Sequence, residues 1–243
     1  MSWLFLIVHS LKERVIMTDE WEVSQIKKLQ THMKIVSPDI PQELAELTFP
    51  DRMICNEDYF KLGIVNNCII ENQTADHVFF DKVIFKNVIF KEIDFSRIEL
   101  TNVVFQNCDL SNVNFDEGIV HQVELNNCKI LGINLLGATL RNVLFDNCCG
   151  DYATFRNVNC KQVKFHYSSL AKADFYKSTL RDVYFSHSSL DQMQLSGTKL
   201  TGIDLSSCEF SQLGVNIEDV KGCIVSPQQA VGFSKLFGLI VNE

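Results

Sequence analysis

Between Phe60 and Phe210 the chain repeats itself every five residues. Reading every fifth position gives 31 residues, and all but Gly150 are apolar. Thirteen of the eighteen phenylalanines fall on this grid, where an even spread would place about a fifth of them. Two residues before each grid position the side chain is small or apolar from Gly63 to Cys208, as at Val83, Val88, Ile93, Ile98, Val103 and Cys108, with Gln73 the clear exception. The two positions after it are mostly polar, as in Asp81-Lys82, Lys91-Glu92, Ser111-Asn112 and Arg181-Asp182. A helix returns to one face every 3.6 residues and a strand every two. A period of five fits neither, so the chain must turn a corner every five residues.

A second period says how many corners close a coil. Cys68, Cys108, Cys128, Cys148 and Cys208 differ by multiples of twenty, and so do Asn67, Asn87, Asn107, Asn127 and Asn147. Twenty residues therefore bring the chain back to the same place, after four five-residue sides. Sorting the grid into four columns puts Phe85, Phe105, Phe145, Phe165 and Phe185 in one and Phe95, Phe115, Phe155 and Phe175 in the column two sides away. The columns between them hold mostly Leu, Ile and Val, such as Leu100, Leu140, Leu180 and Leu200. Large residues face each other across the coil while smaller ones fill the other direction, as close packing requires. The fold class is an all-β solenoid with a square cross-section.

The unit Ala173-Asp174-Phe175-Tyr176-Lys177, with Cys108-Asp109-Leu110-Ser111-Asn112, Val113-Asn114-Phe115 and Ile203-Asp204-Leu205, resembles the pentapeptide-repeat family over roughly Asp58 to Val225. The resemblance implies a right-handed quadrilateral β-helix. At ~4.8 Å per layer, about eight coils make a rod ~35–40 Å long.

All four prolines (Pro38, Pro41, Pro50, Pro227) lie outside this body, where they remove no ladder hydrogen bond. A solenoid exposes core and unpaired backbone at both ends, so caps are expected. Residues 1–17 read as a disordered leader or a start placed too early, because Met17-Thr18-Asp19-Glu20 resembles a second start. Residues 18–50 read as a helical cap, with Trp21, Ile26, Leu29 and Met33 on one face of a helix over 18–34, and 51–225 as the β-helix. Residues 226–243 read as a C-terminal helix, with Ser226 and Gln229 forming a capping box, Pro227 at the first helical position and Gly238 as the stop. The resemblance implies that this last module pairs two subunits head to head, through Phe233, Leu236, Phe237, Leu239 and Ile240.

Other chemistry is sparse. The charge of −8 argues against direct binding to nucleic acid or an anionic membrane, and no apolar run approaches the ~20 residues of a membrane span. Nine cysteines without a C-x-x-C pattern suggest neither zinc nor a disulfide framework, and a reducing cytoplasm is the expected setting. The inward cysteine column reads as core packing, and the asparagine column as a ladder of amides at one corner. Cys148-Cys149-Gly150 reads as a local bulge or kink. The six histidines show no metal-ligand pairing, and no nucleophile, phosphate-loop or dinucleotide motif occurs. No enzyme, metal or cofactor is expected.

Two surface features stand out. The position just before the grid residue faces solvent, yet is apolar at Phe79, Ile84, Ile89 and Val104; such a patch suggests a docking surface, or a seat for the N-terminal helix folded back on it. Charge is also uneven. From Glu92 to Asp151 nine acids face three bases, and from Tyr152 to Ile203 three acids face seven. The leading functional expectation is a scaffold or interaction module whose protein partner is unknown. The alternative follows from similarity to the quinolone-resistance (Qnr and MfpA) members of the family, which implies a DNA mimic that binds DNA gyrase or topoisomerase IV and alters fluoroquinolone sensitivity. Its contact residues would be Glu92, Asp94, Glu99, Asp109, Asp116, Glu117 and Glu124. A continuous acidic stripe would favour that mimic, and separate acidic and basic patches the scaffold.

Overall fold

The corner every five residues is visible in the backbone. In the computed structural model, which describes residues 35–47, 53–234, 238 and 240, every fifth residue from Glu57 to Gly202 has a positive φ. This left-handed conformation is disfavoured for β-branched side chains and easiest for glycine and asparagine. Ten of these thirty positions are Asn and four are Gly, and none is Val, Ile or Thr. The asparagines therefore sit at corners because the backbone needs them. At one corner they also bond to each other: Asn87 donates to Asn67 at 2.8 Å, Asn107 to Asn87 at 3.2 Å and Asn147 to Asn127 at 2.6 Å. The expected amide ladder is present.

Four walls result, numbered here from the grid positions 60, 65, 70 and 75. The first two form one parallel sheet, in the order β1 (Ala45–Glu46), β2 (Tyr59–Asn66), β4 (Phe79–Lys86), β6 (Glu99–Gln106), β7 (Ile119–Asn126), β8 (Thr139–Asp146), β9 (Asn159–His166) and β10 (Thr179–Ser186). Each strand from β2 on pairs with the one twenty residues away, as in Phe145↔Phe165 and Phe165↔Phe185. The third and fourth walls begin as the pair β3 (Ile69–Thr74) and β5 (Ile89–Asp94), then continue as single bridges such as Ile89↔Asp109, Asp109↔Lys129 and Lys129↔Cys149. Seven coils carry a regular strand on the first sheet, and residues 199–225 add less regular ladder bonds such as Leu200 N–H to Asp219 O. The fold is a parallel β-solenoid of about seven strand-bearing turns.

The interior follows the column argument. Phe145 stacks on Phe165 at 4.6 Å, Phe165 on Phe185 at 5.2 Å and Phe155 on Phe175 at 4.5 Å. Across the coil the two columns meet edge to face, Phe155 against Phe165 at 88° and Phe165 against Phe175 at 84°. Offset and edge contacts of this kind add to simple burial. Leu125 and Leu135 interrupt the columns, leaving one aromatic stack around Phe85–Phe105 and another from Phe145 to Phe185.

Gly150 causes no kink. Cys149 keeps its bridges to Lys129 and Ser169, and Gly150 N–H donates to Ser169 O at 2.7 Å. A Cβ there would meet Ile130 and Leu170 side chains from the coils on either side at 3.1 Å. Those neighbours fill the space that a grid side chain takes elsewhere.

The inward cysteines do more than fill space. Cys108, Cys128 and Cys148 Sγ each donate to a carbonyl of the preceding coil, and Ser168 and Ser188 Oγ do the same one and two coils later. Ser188 Oγ also accepts from Ser168 N–H at 3.1 Å. Among the described residues no buried side-chain polar atom lacks a partner, which accounts for serine in a core position.

The two ends are closed differently. At the C-terminus the helix α1 (Pro227–Ser234) starts with the expected box: Ser226 N–H donates to Gln229 Oε1 at 2.8 Å, and Gln229 N–H to Ser226 Oγ at 3.3 Å. Gln229 Nε2 then reaches the Leu205 and Cys208 carbonyls at 2.9 and 2.8 Å, tying the helix to the last coil. At the N-terminus the part of the expected helical cap that is described, residues 35–47, is an extended arm. Pro38 and Pro41 disfavour a helix there, and the backbone finds its partners on the rod instead. The leader and the helix over 18–34 lie outside the described residues.

Candidate interaction surfaces

The arm lies along the corner between the first and second walls. Val36 N–H donates to Asn142 Oδ1 at 3.3 Å, Gln122 Nε2 donates to Ser37 O at 3.3 Å, and Asp39 N–H donates to Asn102 Oδ1 at 2.9 Å. Lys82 Nζ reaches Asp39 Oδ2 at 2.5 Å. Residues 82, 102, 122 and 142 are equivalent corner positions of four successive coils, so one row of polar side chains holds a stretch of extended chain. Asn102 is only 9% exposed as a result, while the corner residues Asn107 and Asn112 are exposed. The arm ends in β1, which pairs with β2 and closes the first coil. Leu47 fills the space beside Gly63, where a Cβ would come within 2.2 Å of Leu47 Cγ. The arm thus occupies the neighbourhood in which a folded-back helix was expected.

The apolar patch is divided by the corners. Phe79 stands on the first wall against Tyr59 and His77. Ile84 and Val104 are stacked and half-buried on the second. Ile89 is on the third, exposed beside Ile69.

The seven acidic candidates also separate. Glu92, Asp94, Asp109, Asp116 and Glu117 gather on the third and fourth walls, where Asn114 Nδ2 donates to both Asp94 Oδ1 and Asp116 Oδ1, at 2.8 and 3.2 Å. Lys129 lies 3.8 Å from Asp109. Glu99 is on the first wall, 2.9 Å from His77 Nε2, and Glu124 is on the second, between Val104 and Leu144.

The bases have an order that the composition alone did not show. Arg141, Lys161 and Arg181 are register partners on β8, β9 and β10 and make one column on the first wall. Lys164 stands beside it on the second, between Leu144 and Tyr184. Among the described residues none of these four forms an ion pair. The spacing of twenty was the available signal, visible once applied to charge as well as to apolar residues. Other bases in this half are engaged with rings: Lys172 lies 5.2 Å from the Tyr152 centroid and Arg156 4.9 Å from that of Tyr176.

Of the dimerisation candidates, Phe233 packs edge-on against Phe210 at 6.0 Å and so covers its own rod. Ile240 is 95% exposed. Leu236, Phe237 and Leu239 lie outside the described residues.

Nothing reactive emerges from the thiols. Burial pushes Cys160 and Cys223 up to about 12, and Cys108 is raised by its hydrogen bond with Cys128 together with burial. A thiol is a nucleophile only as thiolate. Iodoacetamide at neutral pH should therefore label Cys55 and Cys149, the two exposed cysteines, first, then half-buried Cys68 and Cys223, while the five buried ones should react only as the protein unfolds. Rapid labelling of Cys108 or Cys128 in intact-mass and peptide analysis would contradict the packing described. Among the described residues no group of three His, Cys, Asp or Glu could hold a metal ion, and no helix is long and apolar enough to cross a membrane.

Comparison with known sequences agrees with this architecture. The pattern described as Pentapeptide repeat region matches residues 78–155 and 98–175, and Pentapeptide repeats (8 copies) matches 178–212. YisX of Bacillus subtilis (strain 168), an uncharacterized protein, is 33% identical over 207 residues, which are 85% of this chain and 97% of YisX. The chain belongs to the pentapeptide-repeat family. Among solved structures, this pentapeptide-repeat protein aligns with a trypsin-treated form of QnrB1, a plasmid-mediated fluoroquinolone resistance protein, at 19% identity and a TM-score of 0.40, covering 83% of this chain and all of that one. It also aligns with HetL, a pentapeptide-repeat protein involved in heterocyst differentiation regulation from the cyanobacterium Nostoc sp. strain PCC 7120, at 15% identity and a TM-score of 0.25, covering 70% and 90% of the two chains.

Proposed function

We propose that this pentapeptide-repeat protein is a non-enzymatic scaffold that binds a protein partner through its walls. The observation that carries the reading is the segregation of charge on a filled rod. The five clustered acids lie on the third and fourth walls in the earlier coils, whereas the unpaired column Arg141, Lys161 and Arg181 lies on the first wall in the later ones. The grid side chains fill the interior, so what the molecule offers a partner is its outer surface, with side chains in straight rows. A surface with distinct acidic and basic sections suits a partner of mixed charge, since complementary potentials steer encounter and fix register. Photo-crosslinking from positions 144, 164 and 111 in cells should give discrete protein adducts from at least one wall. Absence of adducts from all three would count against the reading.

The gathering of Glu92, Asp94, Asp109, Asp116 and Glu117 favours a second reading, a DNA mimic directed at gyrase or topoisomerase IV. The basic column would repel the enzyme's own basic DNA-binding surface, so we expect gyrase supercoiling to be unchanged by this protein at micromolar concentrations, with or without a fluoroquinolone. Inhibition, or rescue from drug-stabilised cleavage, that weakens with salt and disappears in Asp109→Lys/Asp116→Lys would establish the mimic instead.

A further inference from the structure

We propose that the corner between the first and second walls is a peptide-docking track, and that its C-terminal part takes a short extended acidic segment of a protein partner. The inference builds on the scaffold reading by assigning it a site and a ligand class. The mode of recognition is displayed by the molecule itself. Over four coils the corner residues Lys82, Asn102, Gln122 and Asn142 hold the extended arm, two by accepting its backbone N–H groups and one by donating to its carbonyl. Val36 and Asp39, three residues apart, meet corners two layers apart, which is the reach of an extended chain at about 3.4 Å per residue and ~4.8 Å per layer, and the Asp39 side chain reaches one layer further to Lys82. Such contacts read backbone, so they are indifferent to the sequence bound.

The same row continues past the arm's last described residues. Gln162 is the next corner residue and repeats Gln122, and Asp182 offers acceptor oxygens where Asn102 and Asn142 offer theirs. Among the described residues no hydrogen bond to the Gln162 side chain is formed, unlike that of Gln122. What changes along the row is the charge beside it. Around the arm the flanking positions are Asp81, Thr101 and His121 on the first wall and Ile84, Val104 and Glu124 on the second, whereas around Gln162 the same two rows read Arg141, Lys161 and Arg181 and Leu144, Lys164 and Tyr184. These four cations outnumber Asp146 and Asp182 in the same region. Backbone groups recognised by Gln162, with side-chain carboxylates recognised by the flanking cations, define an acidic peptide in extended conformation. Charge-assisted bonds of that kind are the stronger ones.

The probe is a fluorescein-labelled hexapeptide of alternating serine and glutamate, titrated with the full chain and followed by fluorescence anisotropy at low and high salt. Saturable binding is expected, with a lysine-for-glutamate hexapeptide failing to bind. Lys161→Glu/Arg181→Glu should weaken it by about ten-fold or more. Gln162→Leu leaves every charge in place and should weaken it about three-fold, the size of one ordinary hydrogen bond. Circular dichroism of each variant checks that the rod is intact, since all three positions are at the surface. Two results would overturn the proposal. Equal affinity in Gln162→Leu would mean ionic attraction without a track. No saturable binding would mean that the corner takes no such ligand, including the case in which the chain's own N-terminal residues keep it closed; the scaffold reading, tested separately by crosslinking from position 111 on the third wall, would survive that outcome.

Discussion

Replacing Phe165 with alanine should cost about 3–5 kcal/mol, the range for deleting a fully buried aromatic ring from a core that cannot collapse into the gap. Phe165 is fully buried, stacked between Phe145 and Phe185 and met edge-on by Phe155 and Phe175. A solenoid has little freedom to close the hole, because the ladder bonds of three coils fix the spacing of the neighbouring rings. Phe60 provides the comparison: it is only half-buried and stacks on Phe80 from the first coil. Phe60→Ala should therefore shift a urea transition far less than Phe165→Ala. The two should be compared by the midpoint and by the steepness of the transition, since a broadened curve would mean that the rod had split into separately melting segments. A difference between the variants below about 1 kcal/mol would mean that the aromatic column is not what holds the coils at their spacing.

The second large effect is expected at a corner. Asn87 has a φ of 53°, donates to Asn67 and accepts from Asn107. Asn87→Val loses both side-chain bonds and forces a β-branched residue into the left-handed region, for a combined cost of about 2–3 kcal/mol. Asn87→Gly loses the same two bonds but gains conformational ease, so it should cost less than half as much. If thermal or urea melts place the two variants together, the ladder rather than the backbone explains asparagine at these corners. If glycine is as stable as the parent, the ladder contributes nothing measurable and the corner geometry is the whole reason.

That distinction bears on how much of the molecule could be read from its residues. The period of five, the four columns, the facing phenylalanines and the Ser226–Gln229 box are each local or periodic statements, and each has its counterpart in the structure. The left-handed corners were legible too, through the missing Val, Ile and Thr at every fifth residue, a signal easily passed over because it is an absence. Gly150 was misleading for a physical reason. Ile130 and Leu170, twenty residues away on either side, supply the missing volume, and nothing near Gly150 in the chain announces that compensation. The arm was illegible for a similar reason. Its residues carry no repeat, and its partners Asn102, Gln122 and Asn142 look like any other corner residues; only the path of the chain shows that they have a second occupation. The acidic candidates were chosen by a count along the chain, whereas the walls divide that count among different directions in space.

The arm has a mechanical consequence. In a solenoid each coil touches only the coil above and the coil below, so an array pulled from its ends can come apart one turn at a time. Here a single strap bonds to residues 82, 102, 122 and 142 and enters the sheet beside β2. It splints coils that are not neighbours, and it must be stripped before they can part. Among the described residues the strap reaches no coil beyond that of Asn142, so the strapped coils should yield under tension in one event and the later ones in steps, making a rod of nearly identical turns stronger over one part of its length than over the other.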